Sequence, residues 1–206
     1  MTSPRGVSPI ASSKPLALVL ASESPRRLAL LAQAGVTPDA VIAARIDESI
    51  HRKEEPRAYA LRLAGEKARA VAAGWSGAPA LFLAADTVVT VGTRILPKAA
   101  GDAEVHECLE RLSGRAHRVL TAIAVLAPGE KLRTRIVETR LIFCRLDAAA
   151  VDSYVSCREG LGKAGGYAVQ GRAEIFVRHL SGSYSNVVGL PLRETISLLR
   201  GCGYPC

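Results

Sequence analysis

Aromatic side chains are scarce in this 206-residue chain, at 4% of the total, with one Trp, three Phe and five Tyr. That scarcity argues against a single-strand nucleic-acid binder built on stacked aromatic platforms. No pair of cysteines stands at CxxC spacing. The five that occur (Cys108, Cys144, Cys157, Cys202 and Cys206) are odd in number and follow no secretory apolar segment. They read as reduced thiols of a cytoplasmic protein rather than as a disulfide framework. The four histidines, His51, His106, His117 and His179, are not at zinc-like spacing. No apolar stretch reaches transmembrane length, so no membrane partner is expected. Charge is unbalanced, at +8, yet no block of five or six basic residues gathers it. An anionic partner is implied, and a stable nucleic-acid complex is not. The phosphate-loop pattern GxxxxGK[ST] is missing too, as are internal repeats and any long linker.

What is present reads as one α/β domain over residues 15–206, behind a Ser- and Pro-containing tail over 1–14 that carries no acid and is expected to be disordered. The run LALVLA (16–21) predicts a short buried strand. PRRLALLAQAG (25–35) predicts a helix with Ser24 at the N-cap, Pro25 at the first position and Gly35 beyond its end. AVIAARIDE (40–48) reads as a second strand or extended segment, and residues 56–74 as the clearest helix. ALFLAADTVVTV (80–91) reads as a strand, a break and another strand. A helix follows over 102–112, then adjacent strands in 117–129 and 133–146 joined by a Pro-Gly turn, a short helix in 146–157, a Gly-rich loop over 160–171, and a loop and helix over 187–203.

Several residues are out of place for structure alone. Arg26 and Arg27 occupy the first turn of a helix, the end whose free N–H groups and dipole disfavour cations. They either extend into solvent or, with Ser22 and Ser24, meet a phosphate beyond the end of the preceding strand. Asp86 closes the apolar run ALFLAA. It either caps a turn or serves as metal ligand or general base in a cleft. Asp47 and Glu48 are a solvated loop pair or part of a hard-cation site. Lys67 is explained by a solvent-facing charged strip with Arg62, Glu66 and Arg69. Lys98, in a Pro-containing loop, suits phosphate contact. In GKAGGYAVQG, Gly165 and Gly166 permit close backbone approach to a ligand, and the amide of Gln170 matches the edge of a pyrimidine. Asn186 anchors loop backbone or meets a ligand.

Taken in order, LASESPRR, Asp47–Glu48, RLAGEKA, AADTVV, ILPKA, LSGRAHRVLTA, KAGGYAVQG and GSYSNVVGLPL resemble the Maf family of nucleoside triphosphate pyrophosphatases, from about residue 16 to 199. The resemblance implies an α/β fold with a mixed twisted sheet, flanking helices and two lobes around a central cleft. It implies hydrolysis of the α–β bond of a nucleoside triphosphate, giving monophosphate and pyrophosphate, with Mg²⁺ or Mn²⁺ as cofactor. A homodimer is expected on the same ground. Carried over by motif, Asp86 is the catalytic proton acceptor. Ser22, Arg26, Arg27, Lys67 and Lys98 bind phosphate, Glu48 and Asp86 hold the metal, and Arg26, Thr87 and Gln170 set specificity. SPRR, ADT and YAVQ look like the subgroup that prefers dTTP and UTP. The alternatives are a 7-methyl-GTP or broad-range pyrophosphatase of the same fold, and a basic nucleic-acid-binding or cell-division protein without turnover. The family's usual GKP is PKA here (Pro97–Ala99), which implies a changed loop, and Glu23 stands where small residues are frequent and is expected to point away from the site.

Overall fold

The computed structural model describes residues 16–206; the tail expected over 1–14 lies outside the described residues. The chain builds β1 (Ala17–Ala21), α1 (Pro25–Gln33), β2 (Ala40–Ile42), α2 (Pro56–Ala73), β3 (Ala80–Val91), β4 (Arg94–Leu96) and α3 (Asp102–Leu112). It continues with β5 (Ala116–Ala127), β6 (Lys131–Phe143), α4 (Ala148–Ser156), a 3-10 turn (Arg172–Phe176), β7 (Val177–Ser181), α5 (Tyr184–Val188) and α6 (Leu192–Gly201). The seven strands form one mixed sheet in the order β2-β1-β3-β5-β6-β7, with β4 paired to β3. β2, β1 and β3 run parallel; β3, β5, β6 and β7 run antiparallel.

β3 carries the architecture. Its twelve residues form an unbroken strand, not the two separated by a break that the sequence suggests. One edge pairs with β5 from Phe82 to Thr90. The other edge is shared: β1 covers Ala80–Leu83 and β4 covers Val89–Val91. Between them, residues 84–88 have no strand alongside. The gap leaves the backbone edge open, while the Asp86 side chain stands out of the sheet toward α2 and is paired there with Lys67; that pairing accommodates it in an apolar run without the turn that the alternative reading required.

Period-2 alternation divides the interior into two cores. Ala80, Phe82, Ala84 and Val88 of β3 join Leu120, Ala122 and Ala124 of β5 under α2, which approaches through Ala60, Ala64, Ala68 and Val71. These small residues, at helical spacing, let the helix lie close to the strands. Leu81, Leu83, Ala85 and Val89 face the opposite way and pack with α1, α3, α4 and α6. Asp86 therefore points toward α2, and Thr87 toward the other layer. The segment after β2 is also shorter in strand than expected: only Ala40–Ile42 pairs, and the chain to Glu48 runs irregularly toward the opening.

Candidate active site

The gap in the edge of β3 opens into a cleft of about 320 Å³. Its walls include Ser22, Arg26, Arg27, Glu48, Lys67, Asp86, Thr87, Lys98 and Gln170, so every residue carried over from the family resemblance lines one cavity, while Asp47 and Asn186 do not. They come from six separate segments. The cleft wraps around the sheet edge and so reaches both layers.

On the α2 side sits a group of charges. Lys67 Nζ lies 2.6 Å from Asp86 Oδ1 and 2.7 Å from Glu48 Oε1. Both Lys67 and Asp86 are almost fully buried, at 5% and 3% exposure. The solvent-facing strip that explains Lys67 by sequence spacing does exist on α2. It is made by Arg62, which pairs with Glu66 and Glu54, while Lys67 points inward. Lys98, exposed at the cleft rim, pairs with the second oxygen of Glu48. Burial opposes ionisation of Glu48, but the hydrogen bonds from Lys67 and Lys98 outweigh it and hold its carboxyl at about 2. The Tyr59 hydroxyl donates to the Glu48 carbonyl at 2.7 Å and fixes the approach of that segment. Burial, with Asp86 and Glu48 nearby, pushes the Tyr59 hydroxyl up to about 12. Asp47, the other acid of the pair, turns away: its carboxylate accepts from the backbone and hydroxyl of Ser49 in a local turn.

The opposite side is basic and has no acid paired to it among the described residues. Ser24 is the N-cap of α1, with Pro25 following, but its side chain makes no capping bond. Arg27 is held by neutral acceptors: Nε donates to the Gly189 carbonyl at 2.9 Å, and Nη1 to Ser22 Oγ at 3.1 Å. Burial pulls its guanidinium below the ordinary arginine value; Asp86 and Glu48 pull it back, and Arg26 adds to the fall. Arg26 is lowered by burial as well.

Loop 160–171 closes the remaining side and carries Gln170, exposed into the cleft. It is zipped to the segment after β4: Gly162 N donates to Ala99 O at 2.8 Å, Ala99 N to Lys163 O at 3.2 Å and Gly165 N to Pro97 O at 3.0 Å. The middle bond uses an N–H that Ala99 supplies and that a proline at 99 would lack. Gly160–Gly165 does satisfy the spacing G-x-G-x-x-G, but it follows a helix and opens none, so it is not a dinucleotide turn. Below the loop, Tyr167 contacts His117 (OH···Nε2 2.8 Å), and Ala168 N donates to Tyr154 OH at 3.0 Å. Glu23, exposed just before α1, is among the residues that line the cleft.

Sequence reasoning gave no role to Tyr59, Thr121, Lys163 or Gly189, although the last three stand inside motifs that carry the family resemblance.

The divalent cation implied by the family resemblance can be tested against these donors. Glu48 and Asp86 already aim an oxygen each at one cationic centre, Lys67 Nζ. Two hard carboxylates at the mouth of an anion-binding cleft are a set that Mg²⁺ or Mn²⁺ takes when phosphate and water complete the shell. No group of three or more acidic, His or Cys ligands occurs among the described residues, so the protein alone does not form a closed cage.

Comparison with known proteins agrees with the motif order. The family model described as Maf-like protein matches residues 17–202. A protein from Caulobacter vibrioides named dTTP/UTP pyrophosphatase is 60% identical over 189 residues, covering 91% of this chain and 96% of the relative. One of the same name from Brucella abortus is 55% identical over 194 residues, covering 91% and 92%. Among solved structures, a HAM1 protein from Coxiella burnetii is 20% identical with a TM-score of 0.45, covering 90% of this chain and 99% of that one. Among the described residues, no helix is long and apolar enough to cross a membrane.

Proposed function

The chain belongs to the Maf-like protein family, and from that premise we propose that it hydrolyses the α–β bond of dTTP and UTP, releasing pyrophosphate and the nucleoside monophosphate. The observation that supports this reading is the meeting of Arg27, Lys67, Lys98, Glu48 and Asp86 in one cleft. Arg27, which has no acid partner among the described residues, suits the triphosphate, and the carboxylates suit the reacting end.

In this reading a water oxygen attacks the α-phosphorus, the bond from that phosphorus to the α–β bridging oxygen breaks, and pyrophosphate leaves. Asp86 takes the water's proton. Lys67, hydrogen-bonded to Asp86 Oδ1, holds that carboxylate in one orientation and leaves its other oxygen for the proton. Arg27, with Ser22, and Lys98 bind oxygens of the departing pyrophosphate, and their charge offsets what develops there. Arg26, Thr87 and Gln170 border the base. Glu48 and Asp86 would hold the divalent cation, which when bound would supply charge neutralisation at the phosphate.

The test is purified protein with Mg²⁺ or Mn²⁺ and a panel of dTTP, UTP, CTP, GTP and 7-methyl-GTP, with separate assays for pyrophosphate and orthophosphate. Pyrophosphate from dTTP and UTP ahead of the others is the expected result. Orthophosphate as first product would reject the bond assignment, and a preference for 7-methyl-GTP would reject the base assignment.

A further inference from the structure

Thr121 lies outside every role assigned above, although it belongs to the motif LSGRAHRVLTA. It is fully buried on β5, directly opposite Thr87 of β3 in the antiparallel register. Its hydroxyl lies 2.9 Å from the backbone carbonyl of Asn186 and 3.0 Å from Thr87 Oγ1. A carbonyl has no proton to offer, so the single hydroxyl proton of Thr121 goes to Asn186 O. The bond between the two threonines must then be donated by Thr87. This ordering leaves only lone pairs on Thr87 Oγ1 toward the cleft. There Arg27 Nη2 approaches it at 3.4 Å.

The far end of this chain also bears on Arg27. The Asn186 side chain is fully buried, and its Nδ2 donates to Val119 O at 3.0 Å and to Thr139 Oγ1 at 2.9 Å. Those bonds, with Thr121, pin α5 to β5 and β6. One turn further on, Gly189 presents the carbonyl that takes Arg27 Nε. Gly189 has φ +128°, and a Cβ there would come within 3.4 Å of Thr87 Oγ1 and 3.8 Å of Arg27 Nε. Two of the three acceptors that orient the guanidinium, Thr87 and Gly189, are thus held in place through Thr121.

We propose that Thr121 is a positioning residue for the phosphate site: by fixing the proton order Thr87→Thr121→Asn186 O and anchoring α5, it sets the orientation of Arg27. This rests on the pyrophosphatase reading.

The proposal is tested with Thr121→Val, Thr121→Ser, Thr87→Val and the Thr87→Val/Thr121→Val double variant. Affinity is measured for α,β-imido-UTP in the presence of Mg²⁺, alongside steady-state hydrolysis of UTP and thermal unfolding. Thr121→Val is expected to weaken binding and raise KM about 10-fold, with kcat changed far less, while Thr121→Ser stays within about 2-fold of the wild type. Adding Thr87→Val to Thr121→Val is expected to change affinity by less than about 2-fold, since both break one chain. Losses that multiply in the double variant, or a folded Thr121→Val protein with unchanged affinity, overturn the proposal. Should Thr121→Val not fold, Thr87→Val carries the same test: wild-type affinity in it would sink the relay. Absence of pyrophosphate release by the wild-type protein would count instead against the underlying reading.

Discussion

At the scale of single residues, the cleft is governed by what each charge is paired with. Removing one member of a buried pair leaves the other uncompensated, so the Lys67–Asp86 contact is better viewed as a device for orientation than as a source of stability. Asp86→Asn keeps shape and a hydrogen-bond acceptor for Lys67 but cannot take a proton. It is expected to lower kcat at least about 100-fold while moving KM only a few-fold, as read from pyrophosphate release under saturating UTP. Unchanged turnover would remove Asp86 from the chemistry. This scale was also where the sequence was least readable for Lys67. Arg62, Glu66 and Arg69 surround it on paper, and only the rotation of α2 against β3 decides that Lys67 points inward. Asp86 was legible because a carboxylate in a buried strand needs a reason, whatever the fold.

Among the elements, loop 160–171 shows how backbone conformation sets a binding wall. Gly165 has φ +70°, and a Cβ there would lie 2.8 Å from Val89 Cγ1, on the very strand that forms the cleft floor. Gly162 has φ +68° but open space around it. Gly162→Ala is therefore expected to cost about 1 kcal/mol, from the left-handed conformation alone. Gly165→Ala is expected to cost clearly more, on the order of 2–3 kcal/mol, because the buried strand cannot yield freely. Urea unfolding of both variants checks the difference, and equal losses would mean that the contact with Val89 relaxes. Most elements were plain from periodicity and caps; the helix over 102–112 matches α3. The unbroken β3 was not, because polar Asp86 and Thr87 look like a turn until the missing strand beside them is known. β7, α5 and the 3-10 turn are short, and their form is set by tertiary bonds, such as Ser183 and Asn186 binding Thr139, rather than by local pattern.

For the molecule as a whole, stability has an acid weak point at His117. The ring is 1% exposed and packed edge-on against Phe143 and Tyr167. Burial pushes the imidazole down to about 4, with the Arg115 backbone acting weakly the other way. An unfolded chain protonates this histidine near its ordinary 6.5. Between the two values the unfolded state binds more protons, so stability rises with pH across the window and is lost as pH falls through it. The loss reaches roughly 3 kcal/mol at most. His117→Gln, which keeps a partner for Tyr167, is expected to be less stable at neutral pH but to show a flatter profile from pH 6.5 to 4. Urea midpoints for the two proteins measure this, and parallel profiles would clear His117 of the effect. Histidine count and spacing gave no hint of such burial, since nothing in AHRV says which way the ring turns.

The continuity of β3 has a mechanical consequence. Twelve residues at about 3.3 Å each make a rod of roughly 40 Å that runs beneath the whole opening and is hydrogen-bonded along its far side. A hinge at the cavity floor would have to bend that rod and shear its ladder. The wall at 160–171 is tied down as well, zipped to 97–99 with Tyr167 and Val169 packed in the core, so the irregular rim around 43–55 is the part of the opening held by no strand.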